Sequence, residues 1–144
     1  QYLILRLYQV YGPYQKFDRL IPFVIKNSLL DKNFNCSPGH QLRDFLFVDD
    51  LTNLFLKILN KKKIKSGIYN VGYGKSTKVR QVIKKINKII KKGRPLFGKI
   101  KMRKDEVSSL YPNIDKVKEV FKWQPKISLL KGLKKTINFY EKTI

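Results

Sequence analysis

The segment 39–50, which reads GHQLRDFLFVDD, contains the residue types best suited to chemistry in this sequence. A glycine leads into an alternating apolar run that carries one arginine, Arg43, and ends in the carboxylates Asp49 and Asp50. An arginine buried on a strand needs an anion or a carboxylate as its partner. The helix predicted after this strand supplies no obvious partner, so Arg43 is the first candidate for binding a negatively charged ligand.

The carboxylates of this segment have simpler explanations than catalysis. Asp49 and Asp50 could form an acid/base or metal pair, but capping of the next helix accounts for both. Asp44 faces the opposite side of the predicted strand from Arg43, so we expect it to make a separate structural hydrogen bond. None of these three aspartates therefore competes with Arg43 as a ligand-binding residue.

The single histidine and the single cysteine do not predict a metal site. His40 has no second histidine and no cysteine at ligand spacing, which argues against zinc. Cys36 has no histidine partner in the sequence and is interpreted as a structural thiol. No metal-binding residue is therefore predicted.

The glycine-rich segment 72–77, GYGKST, follows a predicted strand and opens a predicted helix, as phosphate-binding loops do. That motif requires glycine where Tyr69 stands, and Thr77 replaces the third glycine of a dinucleotide-binding fingerprint. We interpret the segment as a turn in which Ser76 or Thr77 caps the next helix. A helix N-terminus can still receive an anion, so that alternative stays open.

The composition fits one globular domain. The 144 residues match an ordinary domain length, and 42% hydrophobic residues suffice for a packed core. No apolar run approaches the about 18 residues of a membrane span, and no signal-peptide pattern is present. We therefore expect no membrane partner. A single cysteine excludes an internal disulfide, which is typical of proteins in a reducing compartment, so we expect a cytoplasmic protein.

The formal net charge of +22 has two explanations. A strongly basic chain can bind nucleic acid or another polyanion. The alternative is a general bias toward lysine, because only 6 of the 32 basic residues are arginine. Nucleic-acid sites favour arginine for bidentate contacts, and here the arginines are scarce and dispersed along the chain. The second explanation is preferred, and nucleic acid is not the expected partner.

Short apolar strands alternate with amphipathic helices along the chain. Strands are predicted at 3–8, where the strand should be buried, and at 42–48 and 68–71, with loops or short strands at 33–39 and 96–103. Helices are predicted at 20–30, 51–59 and 79–90, then after a cap at Asn113 and after a cap at Ser128. This alternation is typical of an α/β fold without an internal domain boundary.

Several short motifs occur in an order that is specific when they are taken together. They are RLYQVYGP at 6–13, RLIP at 19–22, the segment 39–50, YNVGYG at 69–74, RKDE at 103–106, and WQP at 123–125 followed by Gly132-Leu133. With these motifs the chain resembles the C-terminal half of the extended short-chain dehydrogenase/reductase family. This family comprises the NAD-dependent nucleotide-sugar epimerases, dehydratases and 4-ketoreductases. The variant SPGHQLRDF at 37–45 looks most like enzymes of bacterial surface-polysaccharide synthesis.

The resemblance implies which residues hold the diphosphate of a nucleotide sugar. Arg43 and Arg103 resemble the two arginines that clamp it, and Glu106 stands where an acidic residue orients nucleotide or ribose hydroxyls. Arg19 and Leu20 correspond to an element that touches the diphosphate, commonly Asn-Leu in the family. Guanidinium forks match planar oxygen pairs bidentately and lysine does not, so arginines suit this role.

The resemblance also implies a position for the cofactor. The backbone around Tyr8 and Gln9 would lie near the nicotinamide and the substrate phosphates, although the family usually has asparagine at the position of Gln9. NAD or NADP is held mainly by the N-terminal Rossmann half of these enzymes, which also carries a catalytic Tyr-x-x-x-Lys pair. None of the tyrosines of this chain is followed by lysine four positions later.

The resemblance therefore implies that residues 1–144 are the C-terminal substrate-binding portion and that the cofactor-binding half is absent. The expected fold is α/β, the end of a Rossmann-type parallel sheet plus a small substrate-binding lobe. We expect this fragment to be inactive by itself, with exposed apolar surface near residues 3–7 where the missing half docks. The implied partners are a nucleotide-diphosphate sugar and that missing half, with a homodimer as a possible assembly.

Two alternatives stay open at this point. The chain could be a basic, non-catalytic module that binds nucleic acid or other polyanions, in which case binding should be sensitive to salt. It could also be a remnant that retains the fold and binds nothing specifically. A response to nucleotide sugars would separate both alternatives from the enzyme-derived interpretation.

Overall fold

Residues 2–144 are described by a computed structural model, and they form short strands and five helices. The strands are β1 (Leu3–Leu7), β2 (Val10–Tyr11), β3 (Asn33–Cys36), β4 (Leu42–Asp44), β5 (Leu46–Phe47), β6 (Gly67–Val71), β7 (Ser76–Lys78), β8 (Arg94–Phe97) and β9 (Ser109–Leu110). The helices are α1 (Leu20–Leu29), α2 (Val48–Leu59), α3 (Val79–Ile90), α4 (Asp115–Phe121) and α5 (Leu129–Glu141).

Most strand pairs are parallel. β1 pairs with β6 in the register Leu3↔Gly67 to Leu7↔Val71, and β2 with β5 and β3 with β8 are also parallel. β4 is the exception, since it is antiparallel to β7 on one side and parallel to β9 on the other. Parallel pairs require long crossover connections, which the helices provide. The predicted α/β class is confirmed.

The strand predicted at 42–48 is divided in two. β4 and β5 flank Phe45 and belong to different sheets, and α2 already begins at Val48. Phe45 and Phe47 contribute to one hydrophobic core, whereas Leu46 contributes to the other. Successive side chains of this segment enter two different cores, so the segment is apolar on both faces. A continuous apolar run of this kind is typical of a single buried strand, which is why the sequence predicted one strand.

The two cores are built by different helices. The first lies among α1, α3 and α5 and includes Ile25, Val82 and Leu133. The second lies among α2, α4 and β6 and includes Leu54 and Trp123. The segment 42–47 runs between them, which places Arg43 and Asp44 at the junction of the two packed units.

The capping interpretation of Asp49 and Asp50 is wrong. Both residues lie inside the first turn of α2, whose N-cap position is Phe47 and has no side-chain cap. The carboxylate of buried Asp50 accepts hydrogen bonds from the backbone N–H groups of Lys126 and Ile127, both at 2.9 Å. Exposed Asp49 pairs with Lys135 at 2.8 Å. Asp50 therefore ties α2 to the segment that leads into α5.

The other predicted caps have mixed outcomes. Ser76 and Thr77 do not cap α3, because they form β7 and the N-cap position of α3 is Lys78. Asn113 accepts a hydrogen bond from the N–H of Asp115 at 2.8 Å, one residue before the N-cap position of α4. The Ser128 cap is confirmed, because its hydroxyl oxygen accepts from a backbone N–H in the first turn of α5 at 3.4 Å.

The β1–β6 pair exposes apolar side chains. Ile4 is 48% exposed, Leu7 is 49% exposed and Ile68 is 39% exposed. The strand predicted at 3–8 is present as β1, but the prediction that it is buried is wrong. The exposed apolar surface expected near residues 3–7 is present. Among the helices of residues 2–144, none has the length and apolar character needed to cross a bilayer.

Candidate functional site

Two adjoining cavities meet at Arg43 and Gln9. We call the first the apolar cavity; it has a volume of about 400 Å³ and lies between α1, α3 and the strands β3 and β4. We call the second the arginine groove; it has a volume of about 500 Å³ and lies beside the connection from β1 to β2. Because both cavities share two side chains, one ligand can occupy both.

The arginine groove concentrates the guanidinium groups of the chain. Arg6, Arg19 and Arg43 line it, and its other lining residues include no carboxylate and no lysine. The chain has six arginines and 26 lysines, and half of the arginines line this groove. The lining is therefore strongly enriched in arginine over lysine. The arginines are dispersed in the sequence, as predicted, but three of them converge in the fold. Converging guanidiniums favour a multiply charged anion whose oxygens can pair with them bidentately.

Arg43 is held on β4 at the junction of the two cavities. Its residue is 8% exposed, and its backbone register is set by Thr77 of β7 on one side and Leu110 of β9 on the other. One guanidinium nitrogen donates to the carbonyl of Leu42 at 2.8 Å, and the other terminal nitrogen donates to the carboxylate of Glu106. Within residues 2–144, these are the two side-chain hydrogen bonds of the Arg43 guanidinium.

Glu106 reaches Arg43 because its segment is attached to β4. The N–H of Leu42 donates to the carbonyl of Ser108 at 2.8 Å, and β9 then continues alongside β4. The N–H of Glu106 donates to the carbonyl of Arg103 at 3.2 Å, which closes a turn. Arg103 itself is exposed and lines neither the apolar cavity nor the arginine groove.

The other predicted binding residues lie on the connection from β1 to α1. Tyr8 lines the arginine groove, and its N–H donates to the carbonyl of Val71 at 3.0 Å. Gln9 lines both cavities and Arg19 lines the groove, while Leu20 at the start of α1 lines the apolar cavity. The structure therefore brings together every predicted site residue except the Arg103 side chain.

Asp44 makes the structural hydrogen bonds that were expected of it. Its carboxylate accepts from the backbone N–H groups of Tyr73 and Gly74 at 2.6 Å each and of Lys75 at 3.1 Å. Burial raises the pKa of Asp44, and these three N–H donors oppose that rise. Because the N–H groups of the glycine-rich turn already bind a carboxylate of the protein, the turn is not an open phosphate loop.

Sequence reasoning missed several residues of the site. Arg6 lines the arginine groove, and Gln41 and Asn35 line the apolar cavity. The signal for Gln41 was present, because it lies two residues before Arg43 and alternate residues of a strand share a face. Arg6 and Asn35 lie on separate elements, and only the tertiary fold brings them to these cavities.

Cys36 lies in the wall of the apolar cavity. It is 6% exposed, and burial raises the pKa of its thiol, which disfavours the reactive thiolate. Its sulfur lies 3.9 Å from the carbonyl oxygen of Phe34. Within residues 2–144, no cluster of three or more histidine, cysteine, aspartate or glutamate side chains could hold a metal ion.

Residues 1–72 match the sequence model of the protein family described as the NAD dependent epimerase/dehydratase family. The chain is 33% identical over 143 residues to the CDP-abequose synthase of Salmonella muenchen, across 97% of this chain and 48% of that protein. It is 33% identical over 147 residues to human dTDP-D-glucose 4,6-dehydratase, across 96% of this chain and 41% of that protein. The chain thus spans less than half the length of these relatives.

The fold of this chain is similar to about half of each of several solved structures. The UDP-glucose 4-epimerase of Thermotoga maritima, crystallised with UDP-glucose, matches with a TM-score of 0.89 and 29% identity, across 99% of this chain and 46% of that one. The UDP-glucuronic acid 4-epimerase of Bacillus cereus, in complex with UDP-glucuronic acid and NAD, matches with a TM-score of 0.89 and 28% identity, across 99% and 46%.

Proposed function

The chain belongs to the NAD dependent epimerase/dehydratase family, and from this premise we propose that it binds the nucleotide-diphosphate sugar of an NAD(P)-dependent sugar epimerase, dehydratase or 4-ketoreductase. The observation that carries the proposal is the arginine groove, where Arg6, Arg19 and Arg43 converge without a lysine or a carboxylate in the lining. A diphosphate carries about two negative charges and presents pairs of oxygens that guanidinium forks can bind bidentately. Relatives that act on UDP-, CDP- and dTDP-sugars support the same ligand class.

Most of the predicted binding residues have a role in this proposal. Arg43 and Arg19 grip the diphosphate, and Gln9 contacts it where the two cavities join. Glu106 holds the Arg43 guanidinium and orients hydroxyls of the nucleotide. Arg103 reaches the diphosphate only if its exposed side chain turns toward the groove, so its contribution is smaller than that of Arg43. Fixing the diphosphate at one end positions the sugar at the other end for reaction.

We propose that residues 2–144 alone do not hold the cofactor. The glycine-rich turn between β6 and β7 has its N–H groups bonded to Asp44, which leaves no dinucleotide cradle there. We propose that NAD or NADP is held mainly by a part of the protein outside these residues, with Tyr8 at the edge of the cofactor site. Proton and hydride transfer would then depend on that part, and these residues by themselves would not catalyse the reaction.

The alternative of a basic polyanion-binding module has less support. The many lysines of the chain line other surfaces, such as a cleft formed by Lys57, Lys118, Lys122 and Lys126, and none lines the apolar cavity or the arginine groove. Lysines spread over a surface attract polyanions without selecting among them. The specific feature of the fold is therefore the arginine groove and not the overall charge.

Isothermal titration calorimetry of the full-length protein with UDP-, CDP- and dTDP-sugars tests the proposal. We expect one of them to bind, and Arg43→Ala to weaken that binding by about tenfold or more. Arg94→Ala is the matched control, because Arg94 is exposed on β8 and lines neither cavity. Equal affinity of the Arg43→Ala variant and the wild type would contradict the assigned role, and a wild type that binds none of these ligands would refute the function.

A further inference from the structure

The connection from β2 to α1 carries residues of the arginine groove but has little backbone structure of its own. Residues 12–19 are all described, and they lie outside the helices and strands. Gln15 and Arg19 of this connection line the arginine groove. A backbone hydrogen bond closes its last turn, from the N–H of Arg19 to the carbonyl of Lys16 at 3.1 Å. The conformation that presents Arg19 to the groove must therefore depend largely on contacts with other parts of the fold.

The last helix, α5, supplies such contacts through two tyrosine hydroxyls. The hydroxyl of Tyr140, near the end of α5, donates to the carbonyl of Gln15 at 2.6 Å. The hydroxyl of Tyr11, just before the connection, donates to the carbonyl of Leu129 at the start of α5 at 3.2 Å. The side-chain amide of Gln15 in turn donates to the carbonyl of Val10 at 2.9 Å. Helix α5 therefore holds the chain at two points, one before the connection and one at its middle.

Four aromatic rings strengthen this attachment. The ring centroids of Tyr14 and Phe139 lie 4.5 Å apart, and those of Phe17 and Tyr140 lie 5.3 Å apart. Phe139 and Tyr140 also contact each other, with their centroids at 5.1 Å. We call these four residues the aromatic clamp. Because ring pairs at such distances stabilise a structure beyond the area they bury, the clamp fixes two positions of the connection against the last turns of α5.

The backbone of Tyr14 indicates that the conformation of the connection is imposed from outside. Its φ angle is +65°, in the left-handed region that a bulky residue rarely adopts. The residue is 86% exposed, so burial does not offset the cost of this conformation. Strained residues persist where their surroundings determine the backbone. Here the ring of Phe139 contacts Tyr14, and Tyr140 bonds to the next residue of the connection.

We propose that Tyr140 is a positioning residue for ligand binding, which holds the connection in the conformation that presents Arg19 to the arginine groove. Tyr140 is buried and lines neither the groove nor the apolar cavity, so it acts through the connection and not on the ligand. Fixing a binding segment in advance raises affinity, because the cost of ordering it is no longer met when the ligand binds. The inference rests on the proposed function, because it assumes a nucleotide diphosphate in the groove.

Tyr140→Phe removes the hydroxyl and keeps the ring in the aromatic clamp. We expect the affinity of the full-length protein for the tightest binder among UDP, CDP and dTDP to fall by about three- to tenfold, the effect of one neutral hydrogen bond. Ile86→Val is the control matched for a modest loss of stability, because Ile86 is buried in the same core and lines neither cavity. It should lower the thermal midpoint and leave the affinity unchanged. Equal affinities of the two variants, measured well below their thermal midpoints, would overturn the inference.

A double-mutant cycle with Arg19→Ala separates positioning from a general loosening of the fold. If Tyr140 acts by presenting Arg19, its hydroxyl has nothing left to position once the Arg19 side chain is gone. Tyr140→Phe should then weaken binding by less than about twofold in the Arg19→Ala protein. Losses of affinity that simply multiply in the double variant would refute a role through Arg19, because a purely structural effect of Tyr140 does not depend on that side chain.

Tyr14→Asn tests the aromatic clamp without changing the core or a cavity lining. Asparagine adopts the left-handed backbone more readily than tyrosine does, and it lacks the ring that contacts Phe139. Because Tyr14 is exposed, the variant should fold with nearly the thermal midpoint of the wild type, while its affinity should fall by about twofold or more. If Tyr140→Phe does not fold, Tyr14→Asn and its own cycle with Arg19→Ala take its place, and wild-type affinity of Tyr14→Asn would then contradict the proposed positioning.

The two proposals fail in distinguishable ways. If the wild type binds UDP, CDP or dTDP and the folded Tyr140→Phe variant binds it equally well, the role of Tyr140 is refuted while the nucleotide-sugar function stands. If the wild type binds none of the three nucleotides, the function and the role of Tyr140 are refuted together.

Discussion

The guanidinium of Arg43 donates to the carboxylate of Glu106, 63 positions later in the chain. The side chain of Arg43 is 10% exposed and that of Glu106 is 25% exposed, so the ion pair is largely withdrawn from water. A buried arginine requires a negatively charged partner, and here Glu106 supplies it. In the sequence, the segment 103–106 that contains Glu106 is only a run of charged residues. In the ligand-free protein this carboxylate balances part of the positive charge of the arginine groove.

Removing the carboxylate should destabilise the fold around Arg43. We expect Glu106→Ala to lower the free energy of unfolding by about 1–3 kcal/mol, because a buried charge loses its partner while the open cavity still admits water. Glu106→Gln should cost less, since its amide oxygen can still accept from the guanidinium. Glu119→Ala, at an exposed carboxylate on α4, should change the free energy by no more than about 0.5 kcal/mol. Urea denaturation of the variants measures these differences, and equal values for Glu106→Ala and Glu119→Ala would contradict the prediction.

The adjacent residues Asp49 and Asp50 should differ sharply in their effect on stability. Asp50→Ala leaves the N–H groups of Lys126 and Ile127 without their acceptor, and we expect a loss of about 1–3 kcal/mol in the free energy of unfolding. Asp49→Ala removes only an exposed ion pair to Lys135, which is worth about 1 kcal/mol at most. Thermal or urea unfolding of the two variants provides the comparison, each serving as the control for the other. Similar losses in the two variants would contradict this prediction.

The stability contributed by Asp44 should depend on pH. Burial raises the pKa of Asp44 above its ordinary value of 3.8, so its favourable contribution is complete below that value. The contribution is then lost as the pH rises through the raised pKa of the folded state. We therefore expect the stability margin of wild type over Asp44→Asn to shrink as the pH rises from about 3.8. Urea unfolding of both proteins at several pH values measures the margin. A margin that grows with pH would mean that the three backbone donors outweigh burial.

Gly132 should resist replacement by alanine even though it lies inside α5. A Cβ atom at this position would lie 2.1 Å from the hydroxyl oxygen of Tyr11 and 2.8 Å from a ring carbon of Phe47. Alanine favours a helix over glycine by about 1 kcal/mol, but overpacking of a core costs about 1–3 kcal/mol. We expect Gly132→Ala to be net destabilising, whereas exposed Lys131→Ala in the same helix should be neutral within about 0.5 kcal/mol. A rise in the thermal midpoint of Gly132→Ala would show that Tyr11 moves aside freely.

Local features were determined by the sequence because their causes lie within a few residues. The apolar periodicity predicted the helices that begin at Leu20 and Leu129, and Ser128 was correctly identified as a cap. Burial of Arg43 and the opposite orientation of Asp44 followed from the alternation of side chains along a strand. The order of motifs was sufficient to identify the family and the α/β class.

The tertiary structure alone decided the partners of the charged groups. Asp44 binds a turn 29 to 31 positions away, Asp50 binds N–H groups 76 and 77 positions away, and Glu106 reaches Arg43 across 63 positions. Local reasoning assigned the aspartates of the α2 start to the nearest helix end, because capping is the only contact that neighbouring residues reveal. The convergence of three dispersed arginines in one groove was equally hidden. Hydrophobic periodicity acts over one or two turns, whereas the contacts of ionic groups depend on how strands and helices are brought together by two packed cores.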